Sequence, residues 1–156
     1  MMRVIMILTL LLGDMFALTA SAEKHSAEPI HTEWSEVNGI SIYDSREAVV
    51  EKLGEPERIS QDEHLPGVET YHYEAMSITF QGNQMQYVDM EASGVLTINR
   101  IEVGMTEREM RRQLGEPAYE AEDGIVFQRG DMLLKLFLDG DTGAPQYVSY
   151  YHVAIV

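Results

Sequence analysis

The sequence predicts an α+β fold: two tandem modules, each a short helix packed on one face of an antiparallel β-meander. Two observations carry this expectation. Leu53-Gly54-Glu55-Pro56 returns as Leu114-Gly115-Glu116-Pro117, and at the same offset Ile42 matches Val103, Ser45 matches Thr106 and Val49 matches Met110. After each of these segments the apolar pattern changes from helical spacing to strand-like alternation, with turn residues between the runs.

Residues 1–22 read as a secretory leader. Arg3 supplies the positive charge, Val4 to Leu12 the short apolar run, and Ala20-Ser21-Ala22 a small-x-small cleavage site, with the cut expected before Glu23. Spanning a bilayer takes roughly 20 apolar residues, so no transmembrane span is expected in the mature chain. Residues 23–37 mix Glu, His, Ser and Pro with little apolar periodicity and predict a flexible tether. The first module is expected at 38–94 and the second at 95–156.

Each module opens with a helix marked at both ends. Ser45 and Thr106 are N-cap residues, whose hydroxyls accept from free first-turn amides. Thr106-Glu107-Arg108-Glu109 fits a capping box, with Glu109 reaching back to the cap amide. Val49 with Leu53, and Met110 with Leu114, are spaced to share one helix side. Gly54 and Gly115 suit a left-handed helix end, and Pro56 and Pro117 block continuation, so Leu-Gly-Glu-Pro reads as a helix stop rather than a ligand loop.

Strands follow. In the first copy Glu69 to Tyr73, Met76 to Gln81 and Met85 to Glu91 alternate, with Gly82-Asn83 as a tight turn. In the second, Ile125 to Arg129, Met132 to Asp139 and Gln146 to Val153 repeat the plan around turns at Gly130-Asp131 and Asp139 to Pro145. Val95 to Val103 predicts one further strand or strand-like linker.

This arrangement resembles the tandem modules of the β-lactamase-inhibitory-protein fold and the SmpA/OmlA-type outer-membrane assembly lipoproteins. The resemblance rests on Val103-Gly104-Met105-Thr106, Glu109 and Leu114-Gly115-Glu116-Pro117, and more weakly on Ile42-Tyr43-Asp44-Ser45 and Leu53-Gly54-Glu55-Pro56. It implies a protein-binding, inhibitor-like or envelope-assembly role. The family's disulfides and lipidated cysteine have no counterpart, because the chain contains no cysteine.

The formal charge is −15 and the sequence pI is near 4.5. Such a chain is repelled by phosphate backbones, which argues against nucleic-acid binding. Solubility outside the cell is the plain consequence, and attraction to a basic partner the sharper one. Among familiar catalytic signatures there is no Gly-x-Ser-x-Gly, no Ser-x-x-Lys and no phosphate-binding glycine loop. The five histidines (His25, His31, His64, His72, His152) include no pair at the spacing of a helical metal site. Asp139-Gly140-Asp141-Thr142-Gly143 lacks the terminal glutamate of a calcium loop and predicts a hairpin turn. Neither an enzyme, a cofactor nor a metal is expected.

Alternation supplies the functional lead. With Met76, Ile78, Phe80, Leu134, Leu136, Leu138, Val88, Met90, Val148 and Tyr150 facing the helices, Tyr87, Leu133, Phe137, Tyr147 and Tyr151 face outward. Tyr71 and Tyr73 are placed with them. The candidate binding face is therefore Tyr71, Tyr73, Tyr87, Phe137, Tyr147 and Tyr151. A sheet with one helical cover is ordinarily polar on its other side, whereas this one is partly aromatic. Strand preference for tyrosine, or two modules covering each other's faces, would give the same pattern. The function expected is an exported, non-enzymatic module binding another protein or peptide through that face. The alternative is an envelope structural or assembly factor retained at the cell surface.

Overall fold

The computed structural model describes residues 29–155. The expected leader and residues 23–28 of the expected tether lie outside the described residues. Helix α1 spans Arg46–Leu53 and helix α2 Glu107–Leu114. Ser45 Oγ accepts from Ala48 N at 3.3 Å, and Thr106 Oγ1 from Glu109 N at 3.2 Å, which satisfies one orphan donor in each first turn. The Glu109 carboxylate accepts from the Thr106 hydroxyl at 3.1 Å, so the two side chains close on each other. Both helices stop at glycines in left-handed backbone, Gly54 at φ 84 and Gly115 at φ 82.

The strands are β1 (Arg58–Gln61), β2 (Val68–Tyr73), β3 (Met76–Gln81), β4 (Gln84–Glu91), β5 (Val95–Ile98), β6 (Ile101–Gly104), β7 (Tyr119–Ala121), β8 (Gly124–Arg129), β9 (Met132–Leu138) and β10 (Pro145–His152). Eight of them form one antiparallel sheet in the order β1-β2-β3-β4-β10-β9-β8-β7, and β5 with β6 forms a separate ribbon. This corrects the predicted fold class. The described chain is mainly β, with a single sheet in place of two tandem helix-on-meander modules. The physical reason is the seam. Each meander would otherwise end on an unpaired strand, and β4 and β10 instead satisfy each other from Tyr147↔Glu91 to Tyr151↔Tyr87.

One face of this sheet carries the core. Ile78, Phe80, Val88, Leu134, Leu136, Val148 and Tyr150 are fully buried and belong to one cluster with Val49, Met110 and Leu114 of the helices. Two eight-residue helices are too short to cover eight strands, and other segments complete the cover. The β5–β6 ribbon turns at Asn99 and Arg100, both at positive φ, where a single strand or linker was expected. It buries Leu96, Ile98 and Val103.

The segment before residue 38 is the second correction. Expected as a tether, it is packed over its described part: Ile30, Trp34 and Val37 join the core. Ile30 N donates to Gln113 O at 2.7 Å, and Arg129 Nε donates to Ile30 O at 3.2 Å. The Asn99 side chain accepts from Ser35 N at 2.9 Å and donates to Glu33 O at 2.8 Å. Trp34 is 2% exposed, with the Arg129 guanidinium 5.8 Å from its ring centroid. A chain held by this many backbone bonds has lost its freedom before reaching the first helix.

No helix among the described residues is long and apolar enough to cross a membrane.

Candidate functional site

The sheet face away from the helices is built by strand parity and register. On β4 the outward residues are Tyr87, Asp89 and Glu91, on β10 Tyr147, Ser149 and Tyr151, and on β9 Leu133, Lys135 and Phe137. Three rows run across these strands: Tyr87–Tyr151–Leu133, Asp89–Ser149–Lys135 and Glu91–Tyr147–Phe137. A polar row thus lies between two rows rich in aromatic rings. Together Tyr87, Asp89, Lys135, Phe137, Tyr147, Ser149 and Tyr151 line a shallow hollow of about 440 Å³.

Each wall has a physical origin. Phe137 and Tyr147, directly opposite in register, stack with centroids 4.2 Å apart and planes at 15°. Lys135 interrupts the apolar run Met132 to Leu138 at an outward position. Its ammonium sits 4.1 Å from the Phe137 centroid and 2.7 Å from Asp123 Oδ1. Tyr151 is pushed up to about 12 by burial first and by the neighbouring Tyr119 next. Tyr147 is raised by burial, then by Asp89 and Asp123. Val126 and Leu133 are buried on this side without belonging to the core cluster. Their register partners Tyr119 and Tyr151 lie beside them on the same face.

Asp89 sits centrally on the seam. Burial raises its carboxyl above the usual range, and the hydrogen bond donated by Ser149 Oγ offsets part of that rise. Ser149 itself is 7% exposed. The polar row continues across β3 and β2 through Ser77 and His72 to Arg58. His72 is lowered by burial and then by Arg58, and its Nε2 lies 2.8 Å from Ser60 Oγ. No carboxylate hydrogen-bonds that ring among the described residues. Nor do the described residues hold a group of three His, Asp or Glu placed for a metal. Asp139, in the segment read as a hairpin turn, accepts from Asp141 N, Thr142 N and Thr142 Oγ1 and so closes a turn.

Of the six predicted residues, Tyr87, Phe137, Tyr147 and Tyr151 meet around this hollow. Tyr71 and Tyr73 do not, and this is the third correction. They pair with Ile78 and Met76, so they face the helices. Tyr71 packs edge-on against Phe80 at 5.2 Å, with Arg46 5.9 Å above its ring. Tyr73 Oη donates to Gly54 O at 3.1 Å. Sequence reasoning missed Lys135, Ser149 and Tyr119. The lysine was findable, since a charge at outward parity in an apolar strand needs a partner.

No protein-family model matches this chain, and no curated protein matches it. The solved structures to which this chain is similar include three bacterial proteins. An extracellular protein containing an SCP domain from Bacillus anthracis is 13% identical at a TM-score of 0.53, covering 81% of this chain and 49% of its own. A cysteine-rich secretory protein from Staphylococcus aureus is 9% identical at 0.48, covering 83% and 48%. A DUF4309 family protein from Bacillus subtilis is 18% identical at 0.48, covering 80% and 86%. This chain thus spans about half the length of the first two.

Proposed function

We propose that the chain is an exported, non-enzymatic module that binds another protein through the seam face of its sheet. The observation that carries this reading is the hollow itself: four aromatic side chains converge with Asp89, Ser149 and Lys135 on the sheet face away from the helices. Aromatic rings give large contact area at little rotamer cost and are enriched where binding energy concentrates. A bare sheet face without a partner would be expected to be polar. Export is supported by the leader-like N-terminus and by a fold shared with an extracellular bacterial protein. Inhibition would follow wherever the bound surface is another protein's active site.

The test is affinity capture from envelope and medium fractions of the source organism. The wild-type chain is used beside a variant carrying Tyr87→Ala, Tyr147→Ala and Tyr151→Ala, each checked for fold by circular dichroism. A protein held by the first and lost by the folded second supports the reading. Equal capture by both overturns it.

A further inference from the structure

Lys135 shows what this face does with an ammonium. Its Nζ is held over the Phe137 ring at 4.1 Å and against a carboxylate, Asp123, at 2.7 Å. Two strands away the same parts recur around Asp89. Tyr87, Tyr147 and Tyr151 flank the carboxylate in the same hollow. The Ser149 hydroxyl is its one hydrogen-bond donor among the described residues, and no described cationic side chain pairs with it. A half-buried carboxylate has given up part of its hydration, and a cation would restore what it lost. Aromatic faces add their own attraction for a cation. Glu91 stands beside Asp89 on β4, and the chain's charge of −15 draws positive partners from a distance.

We infer that the Asp89 hollow receives a lysine side chain from an extended basic segment of the partner protein. This rests on the binding-face reading above and adds the chemistry of the partner. The hollow spans three strands, roughly 10 Å between the outer two, and it is shallow. That shape admits a side chain reaching down from a segment lying along the sheet. It encloses nothing small.

Isothermal titration of the full chain with an end-blocked octapeptide of alternating lysine and glycine tests the inference. The lysine-acetylated peptide and spermidine are titrated in parallel, against the wild type, Asp89→Asn, and Glu51→Gln on exposed α1 as a control. Expected are binding to the wild type, loss on acetylation, a weakening of about tenfold or more in Asp89→Asn, and a change of less than about twofold in Glu51→Gln. Absence of binding, or equal weakening by both substitutions, overturns the inference in favour of none or diffuse charge. Spermidine binding as tightly as the peptide overturns the peptide as occupant. Should Asp89→Asn fail to fold, the acetylated peptide reads the charge requirement on the wild type. The partner captured by the wild-type chain separates the two readings. If the triple alanine variant loses it and Asp89→Asn keeps it, the face stands and lysine recognition falls. If the triple variant keeps it, both fall.

Discussion

Trp34→Ala distinguishes a tether from a structural segment. Trp34 is the chain's one tryptophan and is 2% exposed. An aromatic side chain of this kind buries roughly 150–250 Å². At about 25 cal/mol per Å² this corresponds to about 4–6 kcal/mol as an upper estimate. Large-to-small aromatic substitutions in cores cost about 3–5 kcal/mol, so about 4 is expected here. With an m-value of roughly 2 kcal/mol/M in urea, the midpoint falls by about 2 M. Far-UV circular dichroism is the probe, because the variant has no tryptophan left to fluoresce. Trp34→Phe is the companion. The indole Nε1 is buried with no partner among the described residues, so phenylalanine removes an unsatisfied donor while retaining most of the ring. Its cost is expected at about 1 kcal/mol. A stability of Trp34→Ala within about 0.5 kcal/mol of the wild type, the range of surface changes, would refute the packing of this segment.

Two further outcomes follow from the structure. Because burial holds Asp89 above its ordinary range, its protonation favours the folded state, and that contribution grows as pH falls toward and through its folded value. Asp62, Asp123 and Asp139 are held low, mainly by hydrogen bonds, and their contribution is lost as pH falls through their lowered values. His72 is held low by burial and then by Arg58, and it costs stability over the same window as pH falls, in wild type and variant alike. In thermal melts from neutral to mildly acidic pH the wild type is therefore expected to gain stability relative to Asp89→Asn; a difference between the two that does not change with pH would contradict the assignment. Gly124→Ala is expected to destabilise by about 2 kcal/mol or more in urea melts. Its φ is 156, and an added Cβ would lie 2.0 Å from the Leu136 carbonyl oxygen, where backbone must move. A neutral substitution would contradict that close approach.

Local chemistry was legible in the sequence, and long-range pairing was not. Ser45, Gly54, Thr106 and Gly115 announce helix ends because caps are satisfied within a few residues. Alternation placed Val88, Leu134, Leu136, Val148 and Tyr150 correctly because parity is a property of one strand. The β4–β10 seam has no such signature, since nothing in either strand specifies which edge it will meet. Ile30, Trp34 and Val37 belong to no regular element over their own stretch. Gln113, Arg129 and Asn99 fix their backbone from far along the chain. Asn99-Arg100 turns without a glycine to mark it. For the candidate site, alternation found the rings of β4, β9 and β10 but misplaced Tyr71 and Tyr73. One residue of register decides which face a strand presents, and only the pairing with β3 fixes it.

The seam also sets a timetable. Asp89 and Ser149 are 60 residues apart along the chain, so their strands meet only after a long loop is closed. Loop closure of this length delays a contact until local hairpins have formed. Every wall of the hollow comes from β4, β9 or β10, and β10 is the last of these three in chain order. The hollow therefore does not exist until β10 has been made. It is complete only when β10 docks between β4 and β9, and a chain truncated before Pro145 would keep both helices' sequences yet form no hollow.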